Sequence, residues 1–221
     1  MTTLTLLKSR IADDLNRSDI TSQIANAITD SIEHYKNTRF SFSETRDSTF
    51  VTVAGQGRYS VSDDADIPLW FDLDAVYVND GTREYEIPRD DHRRLETSLS
   101  DASPSTGVPS CYAYFDRGFW LYPVPDAVYT IRPVGAIEKA APATDGEANN
   151  VWMMEAFELI RCHAKADLAV HVLDDAGLLI RMRGALPDQE PPGGAEGVAY
   201  RKLKRKASNR IATGRIVPTS W

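Results

Sequence analysis

Apolar side chains recur at helical spacing near both ends of the 221-residue chain. Two such stripes, Leu4–Leu15 and Ile20–Tyr35, occupy the start, and each repeats an apolar residue every three or four positions. Two more, Met153–Val172 and Leu178–Leu186, follow in the last third of the chain. Each stripe covers one side of its helix, so none of these helices can bury its apolar residues alone. We therefore expect the N- and C-terminal helices to pack against one another.

The middle of the chain shows the period of two that is typical of half-buried β-strands. The segments Thr49–Val53 and Arg58–Val61 flank a Gly-Gln-Gly turn, which predicts a hairpin. A second hairpin is predicted between Leu73–Val78 and Glu84–Ile87, and a short helix within Asp90–Leu99. Short strands at this spacing predict an antiparallel sandwich or barrel-like sheet. Three further strands are predicted at Cys111–Phe115, Phe119–Tyr122 and Ala127–Pro133.

Together the two patterns predict an α+β protein. A helical bundle built from the N- and C-terminal segments carries an inserted antiparallel β-rich domain, and an extended tail follows at the C-terminus. The predicted boundaries are 1–38 and 150–186 for the two parts of the bundle and 39–137 for the β-rich insertion. Residues 187–221 are assigned to a linker and a basic docking tail, because Pro187–Gly197 holds three prolines and three glycines.

Charge divides the chain at a single point. The formal net charge is −7, but residues 1–196 carry 18 basic and 32 acidic side chains, a net of −14. Residues 197–221 carry seven basic side chains and no acidic one. This acidic body excludes a globally basic nucleic-acid binder. The absence of a long apolar run argues against a membrane protein, and two cysteines are too few for a disulfide framework.

The sequence holds no spacing that indicates a catalytic, cofactor or metal site, and none is expected. His163, Asp167 and His171 share one helical side, but eight residues separate the histidines by about 12 Å, so one ion cannot bind to both. We interpret them as a polar side at a helix or subunit contact. Cys162 lies among apolar residues and is interpreted as a buried thiol.

The basic tail allows three interpretations: a solvated helix side, docking on an acidic protein partner, or contact with DNA or RNA. An apolar line through Tyr200, Leu203, Ala207 and Ile211, together with the terminal tryptophan, favours protein docking. The residues assigned to docking are Tyr200, Arg201, Lys202, Lys204, Arg205, Lys206, Arg210, Arg215, Ile216 and Trp221.

Several segments, taken in order, resemble a known family. Arg39, Phe40, Phe42 and Glu44 form an element that looks like Arg-Phe-x-Phe-Asn-Glu, with Ser43 where asparagine is usual. With this element and the further segments given next, the chain resembles the tailed-phage head-to-tail adaptor, or connector, proteins. The companion segments are Ile11–Ile20, Gly107–Pro109, Leu121–Ile131, Asn150–Met153, Glu158–Lys165 and Thr213–Pro218.

The resemblance implies a non-enzymatic structural protein of the virion, located at the head–tail junction and assembled in the host cytoplasm. Similar proteins form a ring, commonly of twelve copies, that binds the portal protein and offers an attachment surface to tail or nozzle proteins. Genomic DNA is expected to pass through the ring without sequence-specific binding, and no membrane is involved. Two rival hypotheses stay open: a soluble nucleic-acid-binding module that uses the basic tail, and a hydrolase whose site the sequence does not reveal.

Overall fold

A computed structural model describes residues 2–64, 67–184 and 190–212, with residues 207–212 described by their backbone alone. The chain forms two compact units. One comprises Met1–Phe42 together with Lys139–Trp221 and is helical, and the other comprises Ser43–Glu138 and is rich in β-strands. The predicted α+β class is therefore confirmed, with N- and C-terminal helices packed together and an antiparallel β region inserted between them.

Helices and strands are numbered in chain order. The helices are α1 (Leu4–Leu15), α2 (Thr21–Tyr35), α3 (His92–Leu99), α4 (Val151–Glu155), α5 (Phe157–His171), α6 (Ala176–Arg183) and α7 (Gly194–Ala212). The strands are β1 (Glu44–Thr45), β2 (Phe50–Val51), β3 (Arg58–Ser60), β4 (Trp70–Asn79), β5 (Glu84–Ile87), β6 (Cys111–Phe115), β7 (Gly118–Tyr122) and β8 (Thr130–Ile137).

The helical unit is built on the apolar stripes that the sequence shows. Thr3 caps the start of α1, since its hydroxyl accepts the N–H of Leu6, and Asn150 caps the start of α4, since its side chain accepts the N–H of Trp152. The stripes of α1, α2 and α5 then meet in one core. The large buried side chains of that core include Leu7, Ile11, Ile24, Ile28, Ile32, Tyr35, Phe40, Trp152, Met153, Ile160 and Leu168.

The β unit contains two antiparallel sheets. The larger one has the order β1-β8-β4-β5, with β2 also paired to β8, and the smaller one has the order β3-β7-β6. The predicted β4–β5 hairpin is confirmed, since Val76 pairs with Ile87 and Val78 with Tyr85. Alternate residues of both sheets form one core. Its members include Phe50, Tyr59, Ile67, Trp70, Val76, Val78, Ile87, Tyr112, Phe119, Leu121 and Ile131.

The hairpin predicted around the Gly-Gln-Gly turn is wrong. Strand β2 pairs with β8 in the larger sheet, whereas β3 pairs with β7 in the smaller one. The Tyr59 hydroxyl accepts the N–H of Val53 at 3.1 Å and donates to the Gln56 carbonyl at 2.6 Å, which holds the intervening segment as a corner. Gly55 occupies that corner with a φ of 84°, a value that favours glycine. The turn therefore moves the chain from one sheet to the other.

Three helix boundaries differ from the sequence prediction. The stripe predicted from Met153 is interrupted at Ala156, which separates α4 from α5. Helix α6 begins at Ala176, because the Asp175 carboxylate accepts the N–H of Leu178 and so caps the first turn. The predicted end of that helix at Leu186 lies outside the described residues. Helix α7 begins at Gly194, inside the segment predicted to be a linker.

We predict that Gly135→Ala destabilises the β unit. A Cβ atom at this position would lie 2.2 Å from the carbonyl oxygen of Asp72, so β4 and β8 would have to separate. We expect a loss of about 1–3 kcal/mol in the free energy of unfolding, the usual effect of overpacking. Urea unfolding combined with hydrogen exchange at the amides of Val76 and Val78 measures this loss.

Gly146→Ala is the matched control, since a Cβ atom there meets no atom within 4 Å. It should leave stability unchanged or raise it slightly, because alanine restricts the unfolded chain. Equal stability of the two variants would show that β4 does not approach Gly135 this closely.

Candidate functional site

Helix α7 carries most of the basic residues of the C-terminal segment, and its start packs closely against the end of α6. Gly194 has a φ of 52°, and a Cβ atom there would lie 2.5 Å from the Met182 carbonyl oxygen of α6. A Cβ atom at Gly197 would lie 2.0 Å from the Pro192 carbonyl oxygen. Gly194 therefore permits close backbone packing between α6 and α7, and Gly197 permits close packing of the first turn of α7 on the residues before it.

Glu196, in the first turn of α7, is a fully buried carboxylate that contacts three other helices. Its Oε1 accepts a short hydrogen bond from the Tyr35 hydroxyl of α2 and lies 2.7 Å from Nδ1 of His163 on α5. Its Oε2 lies 3.2 Å from Nε of Arg183 on α6, an ion pair without hydrogen-bond geometry. We call Tyr35, His163, Arg183 and Glu196 the Glu196 cluster.

Two further side chains surround the Glu196 cluster. The ring of His34 stacks on the ring of His163 with a centroid distance of 4.6 Å. Nε2 of His34 lies 3.7 Å from the carboxylate of Glu190. Glu190 also lies 3.1 Å from the guanidinium of Arg183. His163 is thus at a helix contact, in agreement with its interpretation as part of a polar helix side. No motif or spacing marks Glu196, which is one more acidic residue in a segment rich in proline and glycine.

The packing of these helices shifts the pKa values of Glu196, Tyr35 and the neighbouring His34. Burial opposes ionisation of Glu196, but the hydrogen bonds from His163 and Tyr35 and the charge of Arg183 hold its pKa below the ordinary value. Burial, with the neighbouring carboxylate, raises the pKa of Tyr35. Burial and the adjacent His163 lower the pKa of His34. The folded protein therefore favours a charged Glu196, a neutral Tyr35 and a neutral His34.

The apolar side of α7 is already occupied within the helical unit. Leu203 is 5% exposed and belongs to the helical core, and the ring of Tyr200 lies edge-on to Phe40 at 6.0 Å. Lys204 donates from Nζ to the carbonyl of Arg39 at 2.8 Å and lies over the ring of Phe40. The side chains of Ala207 and Ile211 lie outside the description. The two members of the apolar line whose side chains are described, Tyr200 and Leu203, therefore pack against the helices of the same chain.

The Arg39–Glu44 element lies where the chain leaves the helical unit. Phe40 is fully buried and stacks on Phe42 with a centroid distance of 5.3 Å, and Phe42 in turn meets the Trp152 ring edge-on. Glu44 begins β1, where it pairs with Ala136. The first three motif positions thus fix the end of α2 against α4 and α7, and the last one opens the β unit.

The outer side of α7 is cationic. Val198, Arg201, Lys202 and Arg205 share this side at helical spacing and are exposed, Val198 to 61%. Within the described part of the chain, these three cations make no ion pair with a carboxylate. Lys206 differs, because its Nζ lies 2.8 Å from Oε2 of Glu155. We call Arg201, Lys202 and Arg205 the α7 cationic face.

Four of the residues assigned to docking have side chains outside the described part of the structure. Arg210 lies in the described backbone of α7, but its side chain does not belong to the description, and Arg215, Ile216 and Trp221 lie outside the described residues altogether. Their docking role stays a prediction.

The described part of the chain offers neither a group of metal ligands nor a helix that could span a membrane. No group of three or more His, Cys, Asp or Glu side chains there could hold a metal ion. Both thiols, Cys111 and Cys162, are buried, and burial raises the pKa of each. Among these residues no helix has the length and apolar character needed to cross a bilayer.

The chain is similar to a known protein family over nearly its whole length. The family model described as SU10 adaptor protein matches residues 1–215. No curated protein matches the chain.

We predict that Glu196→Ala destabilises the helical unit by about 1–3 kcal/mol, because it leaves the buried Tyr35 hydroxyl without its acceptor and removes one of the two carboxylates beside Arg183. Urea unfolding at neutral pH measures the change. Asp145→Asn is the control, since it removes the exposed ion pair with Lys8, and exposed pairs contribute little. Similar effects of the two substitutions would contradict a structural role for the buried carboxylate.

We also predict that the helical unit loses stability as the pH falls. The pKa of His34 is lowered from 6.5, so below about pH 6.5 the unfolded chain takes up a proton first. The pKa of Glu196 is lowered from 4.5, so a second loss follows below about pH 4.5. Hydrogen exchange of α7 amides between pH 7.5 and 4 should show both steps, and His34→Gln should weaken the first. Protection that is constant over this range would refute the assignment.

Proposed function

Because the chain belongs to the SU10 adaptor protein family and is thus a phage head-to-tail adaptor, we propose that it binds the portal protein through α7. In this proposal, copies of the protein form a ring, of twelve subunits, that extends the DNA channel and provides the surface to which tail or nozzle proteins attach. The site is the head–tail junction of the virion, reached after assembly in the host cytoplasm. The family is one of structural adaptors, which implies a non-enzymatic role.

The observation that carries the proposal is the α7 cationic face. Leu203 and the Glu196 cluster fix the inner side of the helix, so Arg201, Lys202 and Arg205 project from a rigid support. Such a surface is complementary to carboxylates on a protein partner. Repetition around a ring multiplies weak contacts, so each copy needs only modest affinity. The docking roles of Arg210, Arg215, Ile216 and Trp221 extend this proposal along the chain.

The charge of the body supports the proposed DNA channel. Residues 1–196 carry a net charge of −14, and a surface of this sign forms few strong contacts with phosphates. DNA can therefore slide past such a surface without being held. No sequence-specific contact is needed, because a conduit has to pass every part of the genome.

We predict that replacing the α7 cationic face by glutamine, in Arg201→Gln/Lys202→Gln/Arg205→Gln, weakens binding to the portal. The three side chains are exposed, so the variant should fold normally, and the loss should shrink as salt screens the native contact. Surface plasmon resonance on immobilised portal at 50 and 300 mM salt measures both effects. Removing residues from 198 onward would be a poor substitute, because it also removes the buried Leu203.

The control changes the charge by the same amount elsewhere. Arg83→Gln/Arg93→Gln/Arg117→Gln removes three exposed cations from the β unit and should leave portal binding intact. A separate deletion of residues 213–221 tests the docking role of Arg215, Ile216 and Trp221. Equal portal binding by all these variants and the native chain would refute docking through the C-terminal segment.

The rival hypothesis, a nucleic-acid-binding module, predicts a different result. If the α7 cationic face neutralised three phosphates, the logarithm of duplex affinity would fall against the logarithm of salt with a slope of about −3. We expect no such binding of free duplex by the monomer, because the acidic body repels the polyanion. Fluorescence anisotropy with a labelled random-sequence duplex checks this expectation, and tight, salt-sensitive binding would favour the rival.

A further inference from the structure

A groove runs beside the α7 cationic face, between α7 and the segment formed by α4 and the start of α5. Its volume is about 230 Å³. Small-molecule sites usually enclose about 300–1,000 Å³, so this groove is better matched to one or two protein side chains. It is lined by Met154, Glu155, Phe157, Glu158, Leu159, Ala199, Lys202, Leu203 and Lys206.

The two walls of the groove carry opposite charge. Lys202 and Lys206 stand on the α7 side, whereas Glu155 and Glu158 stand on the other. Apolar side chains lie between them, and the Lys206–Glu155 ion pair of 2.8 Å links the walls at one point. A second depression on the far side of Lys202 and Lys206 continues the surface to Val198, Arg201 and Arg205. The groove thus opens directly onto the α7 cationic face.

Two exposed apolar side chains flank the cationic wall. Met154 is 57% exposed at the groove, and Val198 is 61% exposed beside Arg201 and Lys202. A partner that covered both would gain apolar contact on each side of a row of positive charges. DNA does not offer this combination, because its phosphates would meet Glu155 and Glu158 across the groove.

We propose that this groove binds an amphipathic segment of the portal protein, one that carries carboxylates along one side and an apolar side chain next to them. The apolar side chain enters the groove beside Met154, and the carboxylates face Lys202, Arg201 and Arg205. The acidic wall excludes a second row of carboxylates, so the segment is acidic on one side only. This inference rests on the proposed portal docking and adds the chemistry of the partner.

The test separates apolar contact from charge. Met154→Ser and Val198→Ser remove one exposed apolar side chain each and should weaken portal binding roughly tenfold, the effect expected of a contact at the centre of an interface. Val170→Ser and Ile180→Ser are the matched controls, because these side chains are exposed to 49% and 54% on α5 and α6 and do not line the groove. Surface plasmon resonance on immobilised portal compares the four variants.

A second readout locates the contact. In protein carrying ¹³C-methyl methionine, the Met154 methyl signal should shift when unlabelled portal is added, whereas the buried Met153 signal reports only general changes in the fold. The proposal is supported if Met154→Ser and Val198→Ser both bind the portal more weakly and the Met154 methyl signal shifts on addition of the portal. Equal losses in Val170→Ser and Ile180→Ser overturn it, because the groove would then have no special role.

The remaining outcomes distinguish this inference from the function on which it rests. If Met154→Ser and Val198→Ser bind normally while Arg201→Gln/Lys202→Gln/Arg205→Gln does not, the groove is overturned and portal docking stands. If none of these variants loses affinity, docking through α7 fails as well. If the Met154 signal shifts with the concentration of the protein alone, the occupant is a second copy of the chain, which also overturns the proposal.

Discussion

The position of α7 depends on one buried charge. Glu196 is fully buried, and transferring a carboxylate out of water is unfavourable unless partners surround it. Those partners come from α2, α5 and α6, so the charge is stabilised only when all three helices are in place around the start of α7. A polar contact of this kind defines one arrangement of the helices, since any shift would leave a buried ion without its partners.

This constraint decides which side of α7 is available to other molecules. With its first turn fixed, the helix directs Leu203 into the core and places the ammonium group of Lys204 over the ring of Phe40. Phe40 belongs to the aromatic element at the point where the chain leaves for the β unit. The same contacts therefore hold α7, fix the exit of the chain and turn Arg201 and Arg205 toward solvent.

Periodicity predicted the elements of the fold but not their partners. The stripes of α1 and α2, the β4–β5 hairpin and the short α3 follow from local spacing, which depends only on neighbouring residues. The hairpin around Gly55 failed because Tyr59, and not the turn itself, decides where the chain goes next. Likewise, spacing shows that Leu203 faces an apolar surface but cannot tell whether that surface belongs to the same chain. Glu196 was missed because its partners Tyr35 and His163 lie 161 and 33 residues away along the chain.

The number of α7 cations that are free to contact a partner limits how strongly the helix can bind nucleic acid. Lys204 and Lys206 are engaged within the helical unit, so residues 194–206 of the helix offer three of their five cations to a partner. Three phosphate contacts give weak, salt-sensitive affinity, and the net charge of −14 on the rest of the chain opposes it further. A protein partner would not be limited in this way, because the proposed apolar contacts with Met154 and Val198 are insensitive to salt and the proposed ring adds copies of the same weak contact. The division of charge is therefore more consistent with repeated docking on an acidic protein surface than with a tail that binds nucleic acid.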